Sequence, residues 1–145
     1  MSEWHLLLIE DSDEDVEAMV RGLRRQGLNL IFHHCATGDQ ALDFLYRRGP
    51  YAGPASAPRP DLILLDLNLP GTDGRALLAV IKDDQELQSI PVVVLTTSNN
   101  PKDIATCYRY GANSYQIKPV DYGRFKQALQ TMLDYWLQTA TLPQT

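Results

Sequence analysis

The sequence predicts an α/β protein in which helices cover both faces of a parallel β-sheet. Short uninterrupted apolar runs, of which Leu62–Leu65 is the clearest, are typical of strands that are buried on both faces. Segments with apolar residues at helical intervals alternate with these runs along the chain. Five strands alternating with five helices imply right-handed βαβ units, and therefore a doubly wound sheet.

The first two strand–helix units lie in the N-terminal third. A strand is predicted at Trp4–Ile9, where the chain is mostly apolar. A helix follows over Asp13–Gln26, because apolar residues recur every three or four positions and acids stand at its start, where the helix dipole favours them. Gly27 is the predicted helix stop. The pattern repeats with a strand at Leu28–Ala36 and a helix at Gly38–Arg48.

A long segment separates the second unit from the third. Residues 49–60 are rich in proline, glycine and alanine. A loop of this length is unusual in a compact domain, so we expect a surface insertion. The strand Asp61–Asp66 follows and contains four apolar residues in succession. Leu69–Gly71 then turns the chain into a helix predicted over Gly74–Asp84.

The remaining two units complete the predicted sheet. Pro91–Leu95 is a valine-rich strand, and Pro101 suits the first turn of a helix that ends at Tyr110. A strand at Asn113–Ile117 and a helix at Asp121–Gln138 follow, and Thr139–Thr145 form a tail.

Length and composition indicate one domain over residues 1–145, since 44% of the residues are hydrophobic and 21% are charged. The formal net charge of −5 disfavours nucleic acids and anionic membranes as main partners, because both are bound through clustered lysine and arginine. Cys35 and Cys107 lack metal-site spacing, so we expect two reduced, buried thiols in a cytoplasmic protein. Neither a run of about 18 apolar residues nor a secretory signal pattern is found.

Chemically capable side chains follow four of the five predicted strands. They are Glu10 and Asp11 after the first strand, Asp66 after the third, Thr96 after the fourth and Lys118 after the fifth. In doubly wound sheets, ligands bind at the carboxyl ends of the strands, so we expect these side chains at one rim.

Three carboxylates at one rim need a counter-ion. Two unit charges about 4 Å apart repel each other by roughly 4 kcal/mol at an effective dielectric constant near 20. Mg²⁺ suits such a pocket because it binds one or two carboxylates together with phosphate oxygens. A carboxylate beside Mg²⁺ and an amine can accept a phosphoryl group, since phosphoryl transfer depends mainly on positioning and charge neutralisation.

These residues resemble those of the receiver domains of two-component response regulators, over residues 4–138. The resemblance is carried by Glu10-Asp11, the run Asp66–Gly74, Thr96, and the run Tyr115–Pro119, in the family's order and spacing. It implies a (βα)5 flavodoxin-like sandwich with strand order 2-1-3-4-5. It also implies a phosphorylation switch and not a classical enzyme, with self-phosphorylation and self-dephosphorylation as its only activities.

The resemblance implies that Asp66 is the phosphoacceptor. Asp11, Asp66 and the backbone carbonyl of Asn68 would bind Mg²⁺, with Glu10 assisting through water.

The remaining roles fall on the last two strands. Lys118 would pair with the phosphoryl group, and Thr96 would hydrogen-bond one of its oxygens. Tyr115 would be an aromatic switch that turns inward when Thr96 moves. The Lys118–Pro119 bond is usually cis in the family, so a cis bond is expected here.

A narrower resemblance is to the stand-alone regulators that pair with bacterial and cyanobacterial phytochrome kinases. It rests on the long loop before Arg59–Pro70, on Thr96–Asn99 and on the ending Tyr135–Pro143. It implies a light-regulated histidine kinase as phosphoryl donor and a homodimer through helix four, strand five and helix five. Aromatic residues in the last two helices could supply an exposed patch for such a contact, and output would pass to an unknown downstream protein.

Several alternatives stay open. A small phosphohydrolase with an aspartate nucleophile has similar architecture, but that class resembles Asp-x-Asp-x-Thr after its first strand, whereas Asp66-Leu67-Asn68 follows the third and lacks the second acid. A flavin carrier is disfavoured because acids follow strand one where a phosphate loop would stand. Asp13 and Asp15 are interpreted as solvated acids only. His33 and His34 point to opposite faces of a strand and are not predicted ligands.

Overall fold

The protein, in a computed structural model that describes residues 3–53 and 56–143, is built on a five-stranded parallel sheet. Its strands are β1 Glu3–Ile9, β2 Asn29–Cys35, β3 Leu62–Leu65, β4 Val92–Thr96 and β5 Ser114–Ile117. They lie in the order β2-β1-β3-β4-β5, and every neighbouring pair is parallel. The predicted fold class and strand order are therefore confirmed.

Five α-helices connect the strands. They are α1 Asp13–Leu23, α2 Gly38–Tyr46, α3 Gly74–Asp83, α4 Pro101–Arg109 and α5 Tyr122–Leu133. A polar side chain directly before each helix accepts a hydrogen bond from a backbone amide in the first turn, and these capping residues are Ser12, Thr37, Asp73, Asn100 and Asp121. The caps start each helix a few residues after the preceding strand ends.

Two apolar cores, one on each face of the sheet, explain the uninterrupted apolar strands. Leu7 and Ile9 of β1 face the core that α2, α3 and α4 cover, whereas Leu6 and Leu8 face the core that α1 and α5 cover. All four side chains are completely buried. Because successive strand residues point to opposite faces, both sets must be apolar.

Two helices end three or more residues before their predicted ends. Helix α1 ends at Leu23 and not at Gln26, because Arg24 adopts an extended ψ of 135°. Helix α5 ends at Leu133, and a π-helical turn, Asp134–Thr139, continues it. Leu137 in this turn is buried in the α1–α5 core, so the apolar face predicted for the last helix continues through the change in helix type.

The prediction of a cis bond between Lys118 and Pro119 is wrong, because the bond is trans. Trans is the intrinsic preference of bonds that precede proline. The Lys118 amide donates to the Thr96 carbonyl over 2.7 Å, so the ladder between β4 and β5 continues up to the proline with a trans bond.

The segment 49–60 is partly packed into the protein. Gly49–Tyr51 form a short 3₁₀-helix. Tyr51 packs against the core that α2, α3 and α4 cover, and Ala57 is buried in that core. Residues 54–55 of the predicted insertion and 144–145 of the predicted tail lie outside the described residues. None of the helices in the described ranges combines the length and the apolar character that a membrane crossing needs.

Candidate functional site

Three polar residues of the described ranges are buried as whole residues, and all three lie at one rim of the sheet. They are Glu10 after β1, Asp66 after β3 and Thr96 at the end of β4, which are 2%, 8% and 0% exposed. Buried carboxylates are costly unless they are paired or bind a cation, so their placement at the carboxyl ends of neighbouring strands marks this rim as the candidate site.

Lys118, directly after β5, is the cation that these acids share. Its Nζ atom lies 3.0 Å from Oδ2 of Asp66, 3.1 Å from Oδ2 of Asp15 and 3.3 Å from Oε2 of Glu10. The lysine side chain is only 8% exposed. An ammonium group has three N–H donors, and here each donor has one carboxylate partner.

The acids outnumber the nearby cation. Carboxylate oxygens of Glu10, Asp15 and Asp66 all lie within 4.8 Å of one another. One ammonium group neutralises one of three potential negative charges. The other two can be neutralised by a divalent cation or by protons. Oxygen-only ligands of this kind are those that Mg²⁺ and Mn²⁺ prefer, and the donor set therefore fits such an ion.

The surroundings give the two buried carboxyl groups different protonation states. Burial raises the pKa of Glu10 to about 9, and a hydrogen bond with Asp66 adds to that effect. Burial alone would also raise the pKa of Asp66, but hydrogen bonds from Glu10, the Asn68 amide and Lys118 hold it below its usual value. Asp66 is thus the ionised carboxylate of the pair and the better nucleophile.

Lys118 remains charged in this setting. Burial alone would lower its pKa, but the neighbouring carboxyl groups, first that of Asp66 and then that of Glu10, raise it above the usual value. A permanently charged ammonium group 3.0 Å from the Asp66 carboxylate can neutralise charge that arrives on that carboxylate.

The loop that carries Asp66 is tightly held. The Asn68 amide donates to Oδ1 of Asp66 over 3.0 Å, and a small antiparallel hairpin, Asn68–Leu69 with Thr72–Asp73, follows. The Gly74 amide closes the loop by donating to the Leu67 carbonyl over 3.1 Å. A Cβ atom at position 74 would lie 2.5 Å from Cα of Leu67, so only glycine fits here.

Glu10 is positioned by the backbone of β2. Its amide donates to the Cys35 carbonyl over 3.1 Å, and its own carbonyl accepts a 2.6 Å hydrogen bond from Nε2 of His34. His34 thus serves the site by fixing the Glu10 backbone, a role that no pattern in the sequence indicates.

The structure brings together most of the predicted site residues but not Asp11. Asp11 is exposed, and its carboxylate lies outside the group formed by Glu10, Asp15 and Asp66. Asp15 contacts Lys118 instead, so the interpretation of Asp15 as only a solvated acid is wrong. Ser12 caps α1 by accepting a hydrogen bond from the Asp15 amide, and the cap turns the third helical residue toward the pocket.

Thr96 and Tyr115 are joined through Ser98. The Ser98 amide makes a long, 3.5 Å contact with Oγ1 of Thr96, and the Tyr115 hydroxyl donates to the Ser98 carbonyl over 2.8 Å. The Ser98 hydroxyl donates to Asp103 on α4 over 2.6 Å, and Arg75 on α3 holds the same carboxylate. A shift of Thr96 would therefore change the contacts of Ser98 with Tyr115 and with the start of α4.

Large apolar side chains are exposed on the face formed by α4, β5 and α5. Ile117 on β5 is 45% exposed, and Val120 in the following loop is fully exposed. Tyr108 on α4 and Tyr122 at the start of α5 are also exposed. An apolar surface of this kind is typical of a protein–protein contact.

Comparisons with known proteins agree on one family. The family model of the response regulator receiver domain matches residues 6–130. Response regulator Rcp1 from Synechocystis sp. is 40% identical over 138 residues, which are 95% of this chain and 92% of Rcp1. The structure of the phosphorylated cyanobacterial phytochrome response regulator RcpA matches with a TM-score of 0.93 and 39% identity, over 99% of this chain and 100% of that chain. The Mn²⁺-bound form of Rcp1 matches with a TM-score of 0.90 and 39% identity, over 97% of this chain and 99% of that chain.

Proposed function

The chain belongs to the response regulator receiver domains, and from this membership we propose that Asp66 accepts a phosphoryl group from a histidine kinase. The observation that carries the proposal is a buried, ionised Asp66 carboxylate 3.0 Å from a buried ammonium group. In the transfer, a bond forms between a carboxylate oxygen and phosphorus while the P–N bond of the donor phosphohistidine breaks. The donor histidine leaves as imidazole.

Receiver domains bind Mg²⁺ or Mn²⁺ at an acidic pocket, and the acids at this rim fit such an ion. Asp66, Asp11 and the Asn68 carbonyl are its proposed ligands, with Glu10 assisting through water. The bound ion supplies neutralisation of the phosphoryl charge. The chain itself contributes the nucleophile, which the Asn68 amide orients through its bond to Oδ1.

Lys118 and Thr96 are proposed to receive the phosphoryl group. Lys118 reaches Asp66 from β5 and neutralises the transferred charge, while the buried Thr96 offers a hydroxyl at the end of β4. If Thr96 moves to donate to a phosphoryl oxygen, its contact with Ser98 changes, and the Ser98 carbonyl is the hydrogen-bond partner of Tyr115. We propose that this coupling makes Thr96 and Tyr115 the switch.

Receiver-domain response regulators are signalling switches, and we propose that this protein has only self-phosphorylation and self-dephosphorylation as its own activities. RcpA is a phytochrome response regulator, which supports a phytochrome histidine kinase as the donor for this chain. The free, buried cysteines suit a cytoplasmic protein. Residues 1–145 form the proposed single domain, with 49–60 as an insertion and 139–145 as a tail. Signal output passes to a downstream protein.

The exposed apolar face of α4, β5 and α5 supports a homodimer as the form that transmits the signal. Ile117, the last residue of β5, is 45% exposed. We expect Ile117→Asp to give a monomer under conditions in which the wild type is dimeric, because a charge in an apolar contact must be desolvated. Light scattering with and without phosphodonor measures this, and an unchanged dimer in the variant would place the interface elsewhere.

Labelling with a small phosphodonor tests the phosphoacceptor. Incubation with Mg²⁺ and phosphoramidate should add one phosphoryl group, in a linkage that hydroxylamine cleaves. Asp66→Asn should abolish the adduct with the fold intact, whereas the exposed Asp83→Asn should label like the wild type. An adduct on Asp66→Asn would refute the assignment. Turnover of phosphoesters without an adduct would instead support the phosphohydrolase alternative. The match to the receiver family does not favour that alternative.

A further inference from the structure

Asp15 contacts Lys118 but is neither the proposed phosphoacceptor nor one of the proposed metal ligands. Oδ2 of Asp15 lies 3.1 Å from Nζ of Lys118, a distance similar to that of the Asp66 contact. The two residues are 103 positions apart in sequence, one in the first turn of α1 and one after β5. The contact therefore links two elements on opposite sides of the pocket.

We propose that Asp15 is a positioning residue that draws the Lys118 ammonium toward α1 and so weakens its pull on an incoming phosphoryl group. The inference rests on the proposed function of Asp66. It adds a residue whose effect is exerted through Lys118 and not by contact with phosphorus.

The geometry of the ammonium group supports this role. Each of its three donors has one partner, so a phosphoryl oxygen must displace a carboxylate to gain a hydrogen bond. Glu10 is almost completely buried, and Asp66 is the bond-forming residue itself. The Asp15 carboxylate is 47% exposed and is the partner that can be rehydrated when Lys118 turns away.

The local structure of α1 holds Asp15 in this place. The Asp15 amide is bonded to the Ser12 hydroxyl, which fixes the start of the helix and hence the direction of the third helical side chain. Asp13 is two residues earlier in the same turn but is exposed and lies outside the acid group. It carries the same charge at nearly the same position in the helix dipole and is therefore the matched control.

Asp15→Asn keeps the shape of the side chain and removes its charge. We expect phosphoramidate to label Asp66 about two to five times faster in this variant, which is the range for a half-exposed ion pair. Asp13→Asn should label at the wild-type rate, and Asp15→Glu should return the rate toward that of the wild type. An unchanged or slower rate in Asp15→Asn would overturn the proposal, and so would an equal acceleration in Asp13→Asn.

A second pair of variants separates action through Lys118 from direct action on metal or phosphoryl group. In a Lys118→Met background, Asp15→Asn should have no effect on the labelling rate. A persisting effect would show that Asp15 acts without the lysine and would refute the inference.

NMR of the Lys118 Nζ signal in the metal-free protein tests the contact itself. Asp15→Asn should shift that signal and Asp13→Asn should not, and an unmoved signal in Asp15→Asn would overturn the proposal. This readout stands even if the wild type fails to label, a failure that would count against the phosphoacceptor assignment instead.

Discussion

Replacing Lys118 with methionine removes the ammonium group and keeps a side chain of similar length. The lysine side chain is 8% exposed, and those of its partners Asp66 and Glu10 are 9% and 2% exposed. The variant therefore leaves a buried, ionised Asp66 without its cation. We expect the metal-free variant to be markedly less stable than the metal-free wild type. Removing one partner of a buried ion pair leaves a charge that is neither solvated nor neutralised.

The structure sets the size of the loss. Breaking a buried ion pair costs about 3–5 kcal/mol. The lower end applies here, because Glu10, with a pKa of about 9, carries a proton at neutral pH and needs no cation. Asp15 is half exposed and adds little. A loss of about 3 kcal/mol in the free energy of unfolding lowers the melting temperature of a domain of this size by about 6–12 °C.

The loss must also depend on pH. The pKa of Asp66 is lowered in the folded protein, so its ion pair contributes stability above the unfolded value of 3.8 and loses it as the pH falls further. In Lys118→Met the unpaired Asp66 takes up a proton more readily, so the difference in free energy of unfolding from the wild type should become smaller as the pH falls from 7.5 to 4.

Urea unfolding with a chelator at pH 7.5 and pH 4 measures both effects. Mg²⁺ should narrow the difference at pH 7.5, because a bound cation partly replaces the missing ammonium charge. Lys102→Met, at an exposed lysine on α4, is the control and should change the free energy of unfolding by less than about 0.5 kcal/mol. Equal stability of wild type and Lys118→Met at pH 7.5 would refute this electrostatic account of the site.

Three further predictions concern the metal, the phosphoacceptor loop and the thiols. Mg²⁺ at about 100 times its dissociation constant should stabilise the wild type by about 2.7 kcal/mol in thermal unfolding, and Asp66→Asn by clearly less; equal gains would place the ion elsewhere. Gly74→Ala should cost about 1–3 kcal/mol in urea unfolding and slow labelling, because the new Cβ would meet the Leu67 backbone at 2.5 Å; wild-type values would contradict that crowding. Cys35, buried with a pKa raised to about 11, and the buried Cys107 should react with a thiol reagent at pH 8 only after denaturation, and rapid native reaction would show that they are accessible.

The apolar pattern predicted the sheet well because burial on both faces leaves a strong signature. All four residues of β3 are completely buried, and each belongs to one of the two cores. Helix ends were harder to predict. Arg24 leaves helix α1 before the glycine expected to stop it, and a π-helical turn replaces the last turns of the final helix. These changes depend on tertiary contacts, such as the burial of Leu137, which local spacing does not encode.

The positions of site residues that directly follow a strand were predicted correctly. Asp15 was missed because its direction depends on where helix α1 starts. Glu10 and Asp66 follow strands directly, so the sheet itself brings them together. Five of the six residues at positions 10–15 are acids, and the sequence alone offers no means of telling which of them points inward. In the structure Ser12 caps the start of α1, and Asp15, not Asp11, contacts Lys118.

The arrangement of the pocket implies that a bound metal ion and the Lys118 amine would have Asp66 as a common partner. Lys118 lies within 3.3 Å of all three acids that could attract a cation, and their oxygens lie within 4.8 Å of one another. A divalent ion that joins Asp66 would weaken the hold of that carboxylate on Lys118, because the same lone pairs cannot serve both cations fully. The ammonium group would then depend more on Asp15 and Glu10, and a phosphoryl group on Asp66 would offer it new oxygens. Ion binding would therefore leave Lys118 freer to turn toward a phosphoryl group, and its contact with Asp15 in the first turn of α1 would oppose that movement.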